Sequence, residues 1–307
     1  MYRFHVAIAD LVPPLSGERD GLPRLPVLER LLAMADVTSV GGDWRTWALT
    51  QLGCTLAGGR PALARLMAEQ AGGLTDSYTW FALAPLHLVA GLTTVHHHAA
   101  GPGVFSPATA EQLVADLSRD FADPDLAFRR VGGLVLLGLV GRVDVETQDP
   151  ALLAGRELSD GVARGPDARR LARLCGEFEL WLHGRCVSAR DGRPVHALYP
   201  WGEGNAPVAK ADVSPRLLTD DPFLVAASGP KTDPTAALDV WSVADLLAQG
   251  RSFAEADDVW AQPLRARLRD GEMSEAQIHV AGRTWRLRAG QRWRVWRSVK
   301  PWWEQLS

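Results

Sequence analysis

YRFHVAIAD, Tyr2 to Asp10, places Tyr2, Phe4, Val6 and Ile8 on alternate positions. That period of two is a β-strand's, and Asp10 marks its end before a Pro- and Gly-rich loop running to Pro26. The period then changes. Leu25, Leu28, Leu31 and Leu32 recur at helical spacing, and a second helix is expected from Pro61 to Gln70, stopped by Gly72 and Gly73. Strand followed by helices is the alternation of an α/β chain.

Further along, TWFALAPLHLVAG (79–91) and TTVHHHAA (93–100) read as two strands joined at Gly91. Ser106-Pro107 opens a helix with Ala110, Leu113, Val114, Leu117 and Phe121 on one face. The unbroken run Leu134 to Val140 predicts a strand buried on both faces, and GRVDVETQDPALLAGREL (141–158) a surface connection. Leu171, Leu174, Cys175, Phe178 and Leu182 form the apolar stripe of a helix closing at Gly184. VHALYPW (195–201) and PFLVAASG (222–229) read as strands ending in glycine loops, the pattern of a parallel sheet. Ser252 and Glu255 make a capping box for a helix reaching Arg269 with a kink at Pro263. Two short strands around QIHVAG and TWRLRAGQRWRVW finish the chain, and the Trp/Arg-rich run is expected to form a hairpin turning near Ala289-Gly290. The expected division is residues 1–75 as the first part of an α/β core, 76–145 as a small α+β unit, 146–240 as the second part of the core, and 241–307 as a helix with a Trp/Arg-rich hairpin.

With 307 residues, 47% of them hydrophobic, the chain can bury a sizeable core. A net charge of -3 gives no global attraction to nucleic acid or acidic membrane. Nothing resembles a signal peptide or a spanning helix, and Cys54, Cys175 and Cys186 lie far apart without a CxxC pair, so a reducing cytoplasm is expected.

GPDARRLARLCGEFELWLHGRCVSARDGRPVHALYPWGEG, Gly165 to Gly204, combines a helix ending at His183, a turn, Arg190 and a WGxG loop. In this it resembles the RpfE-type regulatory family, and a related segment occurs in archaeal-type cofactor-independent phosphoglycerate mutases of the alkaline-phosphatase superfamily. The strand carrying His87, the stretch TDDPFLVAASG and the Trp/Arg-rich end extend the resemblance over most of the chain. The resemblance implies a mostly parallel, alkaline-phosphatase-like α/β sheet flanked by helices. It implies a regulatory or interaction protein that binds a small phosphorylated or anionic ligand, with an unidentified protein as a second partner. The ligand set it implies is His87, Glu177, His183, Arg190, His196, Trp201, Gly202, Glu203 and Gly204. Ser188 and His196 stand where the family carries Asn, and the loss of two amides changes what a ligand would meet.

Two-metal phosphoryl transfer needs several Asp and His ligands at loop ends. Asp10 lies where the superfamily keeps a metal-binding Asp, but Asp-Gly-x-x-Asp and Asp-His are absent, so a turn or N-cap is its favoured reading and a metal ligand the alternative. Ser16 lies in the loop that follows. An active metal-dependent mutase or phosphohydrolase, with Mn²⁺ or Mg²⁺, is the alternative. Of His96, His97 and His98 only the first and third share a strand face. The WGxG loop reads either as a ligand loop or as a turn that needs glycine beside a packed Trp. His183 reads also as a helix-end cap. From Arg283 to Trp303, seven basic residues interleave with five tryptophans. Nucleic-acid binding is one reading, and a hairpin with Trp285 and Leu287 inward and Arg286 and Arg288 outward is the favoured one.

Overall fold

The computed structural model describes residues 2–11, 22–40, 43–56, 59–72, 77–91, 94–99, 104–153, 156–157, 161–204, 206–294 and 296–306. Ser16 and the side chains of His97, His98 and Arg292 lie outside the described residues. The chain forms two compact units, one of Met1–Thr55 with Ala209–Ser307 and one of Leu56–Val208. Unit two is thus inserted in unit one, whereas the four-part division cuts at residues 75, 145 and 240.

In chain order the elements of the first half are β1 (Arg3–Ile8), α1 (Pro26–Met34), β2 (Asp36–Val40), α2 (Trp44–Gln51), β3 (Thr55–Leu56), α3 (Leu63–Gln70), β4 (Tyr78–Ala90), β5 (Val95–Ala99), α4 (Pro107–Asp120), β6 (Leu126–Val131) and β7 (Leu134–Val140). They are followed by α5 (Ala168–Leu182), β8 (Ala197–Trp201), β9 (Val208–Ala209), β10 (Val213–Leu217), α6 (Pro222–Ala227), β11 (Lys231–Trp241), α7 (Val243–Ala248), α8 (Gln262–Arg269), β12 (Glu275–Val280), β13 (Arg283–Arg288) and α9 (Trp302–Leu306).

Unit one is built on a six-stranded sheet of order β10-β11-β1-β12-β13-β2. β10, β11, β1 and β12 are parallel neighbours, and β13 and β2 add antiparallel strands at one edge. Phe4, Val6 and Ile8 of β1 enter a core shared with Leu28, Leu31 and Leu32 of α1 and Leu264 and Leu268 of α8. The alternation that identifies β1 in sequence is this division between faces. The capping box forms, with Ser252 N donating to Glu255 Oε2 at 2.6 Å. The expected kink takes the form of a π turn over Asp257–Ala261 that passes into α8 at Pro263.

Unit two is an α+β body with an antiparallel sheet of order β5-β4-β7-β6, and β8 also pairs with β4. Phe81, Leu83, Val135 and Leu137 of the sheet pack with Leu113 and Leu117 of α4 and Leu171, Phe178 and Leu182 of α5.

Several expectations need correction. PFLVAASG is α6 and not a strand, because Asp221 accepts from the Phe223 and Leu224 amides at 3.1 and 3.0 Å and Pro222 holds the first helical position. VHALYPW is a strand, but an antiparallel partner of β4; the parallel sheet lies in unit one. The stretch 141–158 is not all surface, since Val143 and Leu153 are buried. The terminal hairpin turns at Ala281-Gly282, with Ala281 at φ 47°, and residues 289–293 form a 3₁₀ turn. The inward face holds, with Trp285 and Leu287 buried; of the outward pair Arg288 is exposed, whereas Arg286 is half-buried and paired with Glu275 at 2.7 Å.

Candidate functional site

Unit two carries a cleft of about 790 Å³. Its walls are the start of α3, the first residues of β4, the segment Arg142–Glu146, Arg164, and Glu203-Gly204 of the glycine loop. β8 delivers Trp201, buried, to the loop's edge. Gly202 has φ 78°, a left-handed conformation that a side chain disfavours, and its carbonyl accepts from Ala64 N at 2.9 Å. Gly204 is crowded instead: a Cβ there would lie 2.5 Å from the Arg60 carbonyl oxygen and from Pro61 backbone atoms. Backbone conformation therefore favours glycine at residue 202 and backbone packing demands it at residue 204.

Glu203 is buried, and its carboxylate is fully used. It accepts from Thr147 N at 2.9 Å, from the Thr147 hydroxyl and from the Arg60 guanidinium. Arg60 also donates to the Thr147 carbonyl at 3.0 Å and lies 3.7 Å from Glu146. Arg65 pairs with Glu69 at 3.0 Å along α3. Arg142 and Arg164 are both exposed, and neither guanidinium makes a hydrogen bond or ion pair to any described residue; Arg164 is tied through its backbone alone, exchanging amide hydrogen bonds with Glu146 at 2.7 and 3.0 Å. Trp80 lies against the same cleft, only 3% exposed, and its indole N–H has no acceptor among the described residues. Four arginines therefore face three carboxylates, Asp144, Glu146 and Glu203, and two of the arginines are uncommitted. Such a cleft suits an anion, which guanidinium groups bind through charge-assisted, planar hydrogen bonds.

His87 and His196 come together elsewhere in the unit, on β4 and just before β8, with ring centroids 4.8 Å apart. His87 Nδ1 lies 3.0 Å from the Pro194 carbonyl, which can only accept, so Nδ1 carries the proton and Nε2 a lone pair. Leu88 N can only donate, at 3.0 Å, so His196 Nδ1 is the acceptor and the neutral ring carries its proton on Nε2. The two rings thus offer one acceptor and one donor. A metal shared between the Nε2 atoms does not fit, because His196 would need lone pairs on both nitrogens. His96, on β5, places Nε2 2.8 Å from the Thr94 hydroxyl.

The other candidates are not gathered in. Glu177 pairs with Arg173 at 2.9 Å on the outer side of α5. His183 is the exposed C-cap of that helix, its amide donating to the Glu179 carbonyl at 3.0 Å. Arg190 is exposed in the following turn, its amide donating to the Val104 carbonyl at 3.2 Å. None of the three lines the cleft. Asp10, in unit one, accepts from Val243 N at 2.7 Å, Ala244 N at 2.8 Å and the Ser242 hydroxyl at 2.9 Å. It is the N-terminal anchor of α7, and both its oxygens serve that helix. Among the described residues no three His, Cys, Asp or Glu side chains gather as a metal site.

Sequence reasoning missed Arg60, Arg142 and Arg164. Arginines at loop positions are ordinary surface residues by sequence, and only the fold brings residues 60, 142, 164 and 203 to one place.

No family model matches the chain, and no curated protein matches it. Among solved structures, the chain is similar to a cofactor-independent phosphoglycerate mutase from Thermoplasma acidophilum DSM 1728, with 12% identity, a TM-score of 0.33, and coverage of 93% of this chain and 89% of that one.

Proposed function

We propose that this chain is a regulatory or interaction protein of RpfE type that binds a small phosphorylated or anionic ligand in the cleft of unit two and passes its state to a protein partner in the cytoplasm. The observation that carries the reading is the pair Arg142 and Arg164, uncommitted on a cleft walled by the glycine loop. Glu203 and Gly204 contribute structure: Glu203 fixes Arg60, and Gly204 lets the chain pass close to Arg60 and Pro61. Asp10 supports the non-catalytic side of the reading, because its carboxylate is spent on α7.

Calorimetric titration with 3-phosphoglycerate and with pyrophosphate tests the proposal. Binding that weakens at least tenfold in Arg142→Ala/Arg164→Ala, with an unchanged melting temperature, is the expected result; equal affinity in the double variant refutes it. Elemental analysis of untagged protein and a Mn²⁺-supplemented mutase assay address the enzyme alternative. Stoichiometric metal with turnover would replace the regulatory reading by a mutase.

A further inference from the structure

A second cavity in unit two, of about 220 Å³, lies between α5 and β8. Its walls are apolar and include Leu86, Leu171 and Leu198, each at most 3% exposed. Three acidic groups meet on it: the thiol of Cys175 and the carboxylate of Glu179, one turn apart on α5, and the phenol of Tyr199 from β8. No cation lines it. The Tyr199 oxygen accepts from Gln148 N at 3.0 Å, whereas the Glu179 carboxylate has no hydrogen bond or ion pair to any described residue.

We propose that this cavity binds a small lipophilic amine, its hydrocarbon body between Leu86, Leu171 and Leu198 and its ammonium group on Glu179. The Glu179 carboxylate is half-buried and unpaired beside apolar walls, so part of its hydration is already lost, and a cation of matching shape restores a partner for it while burying its own apolar body. A neutral ligand leaves the carboxylate unpaired, and an anion meets repulsion from it. The acid groups already show the effect of the site. Burial lifts the Glu179 carboxyl above its ordinary value, and burial, then the neighbouring Glu179 carboxylate, pushes the Cys175 thiol up to about 12. Tyr199 is also pushed up to about 12, by burial first. The site shares no charged residue with the arginine cleft, so the two proposals stand or fall separately.

The test is calorimetric titration of the full chain with 2-phenylethylamine and its neutral counterpart 2-phenylethanol. Expected is binding of the amine at least tenfold tighter than the alcohol. Glu179→Gln should remove that preference and leave the alcohol unchanged; the glutamate has no partner to lose, so the fold is not at stake. Gly176→Leu places a large side chain on a residue that lines the cavity, where an added Cβ meets no atom within 4 Å, and should block both ligands. Equal affinity for the two probes, absence of amine binding, or an amine preference surviving in either variant would overturn the proposal.

Discussion

His5 and His279 sit on one face of the unit-one sheet, 6% and 1% exposed, with Trp47 stacked on His279 at 5.1 Å. His279 Nδ1 lies 2.9 Å from the Thr284 hydroxyl, while its Nε2 and the Nδ1 of His5 have no partner among the described residues. Burial lowers both rings from 6.5 to about 4. In this case the unfolded chain takes up protons that the folded one refuses, so stability is full above about pH 6.5 and falls as pH drops toward 4. Each ring accounts for roughly 3 kcal/mol of that loss. Urea melts at pH 7, 5.5 and 4.5 should show it, and His5→Gln should flatten the slope; a stability independent of pH over that range contradicts it. Glu29 works in the same sense but at lower pH. Burial pushes its carboxyl up, but hydrogen bonds from Arg24, Trp302 N and Leu25 N outweigh that and hold it below its ordinary value, so its contribution is lost only under more acid conditions.

Elements in this protein are secured by acids at their ends, near and far. Asp43 and Asp221 cap α2 and α6 from the preceding residue, whereas Asp257 caps α1 through the Val27 and Leu28 amides at 2.7 and 2.9 Å, and Asp10 caps α7. The glycine loop is likewise held by distant chain, the backbone of residues 60–64. Gly204→Ala should destabilise by about 1–3 kcal/mol, since its Cβ has only backbone to push against. Gly202→Ala should cost about 1–2 kcal/mol through φ alone. Chemical denaturation measures both, and a neutral Gly204→Ala would mean that the loop sits farther from Pro61. The parts legible in sequence are those whose signal is local. β1, α4, α5 and β7 announce themselves by period and cap, and the pairing of β4 with β5 by the glycine between them. The signal for α6 was present as Asp221-Pro222 but yields to run length if the cap is passed over. β11 was illegible because Asp233, Pro234 and Asp239 interrupt its pattern, and it is a strand by virtue of β1 and β10 on either side. Asp10 reads in sequence as a turn or N-cap residue, but the helix it serves could not be named there because that helix lies more than two hundred residues away.

At the scale of the whole molecule, the Trp/Arg-rich end divides in two. Trp285, Trp302 and Trp303 belong to the core, whereas Trp293 and Trp296 are 67% and 75% exposed. Arg294 and Arg297 are held by Asp36 at 2.5 and 3.3 Å, which removes them from any simple basic surface. No helix among the described residues is long and apolar enough to cross a membrane. Unit two contains its own sheet, its helices and a closed hydrophobic core, so residues 56–208 expressed alone should fold. A cooperative thermal transition followed by circular dichroism is the expected outcome, and a featureless melt rules it out. The insertion also sets an order of events during synthesis. β1 leaves the ribosome early, yet both strands that flank it, β11 and β12, follow the whole of unit two. At about 5–20 residues per second, that strand waits on the order of ten seconds or more with its apolar face unmatched, while the inserted unit can already be complete. A nascent chain stalled once residue 208 has cleared the ribosome should therefore present a finished unit two and an exposed Phe4-Val6-Ile8 face, the form in which this protein has most need of a chaperone.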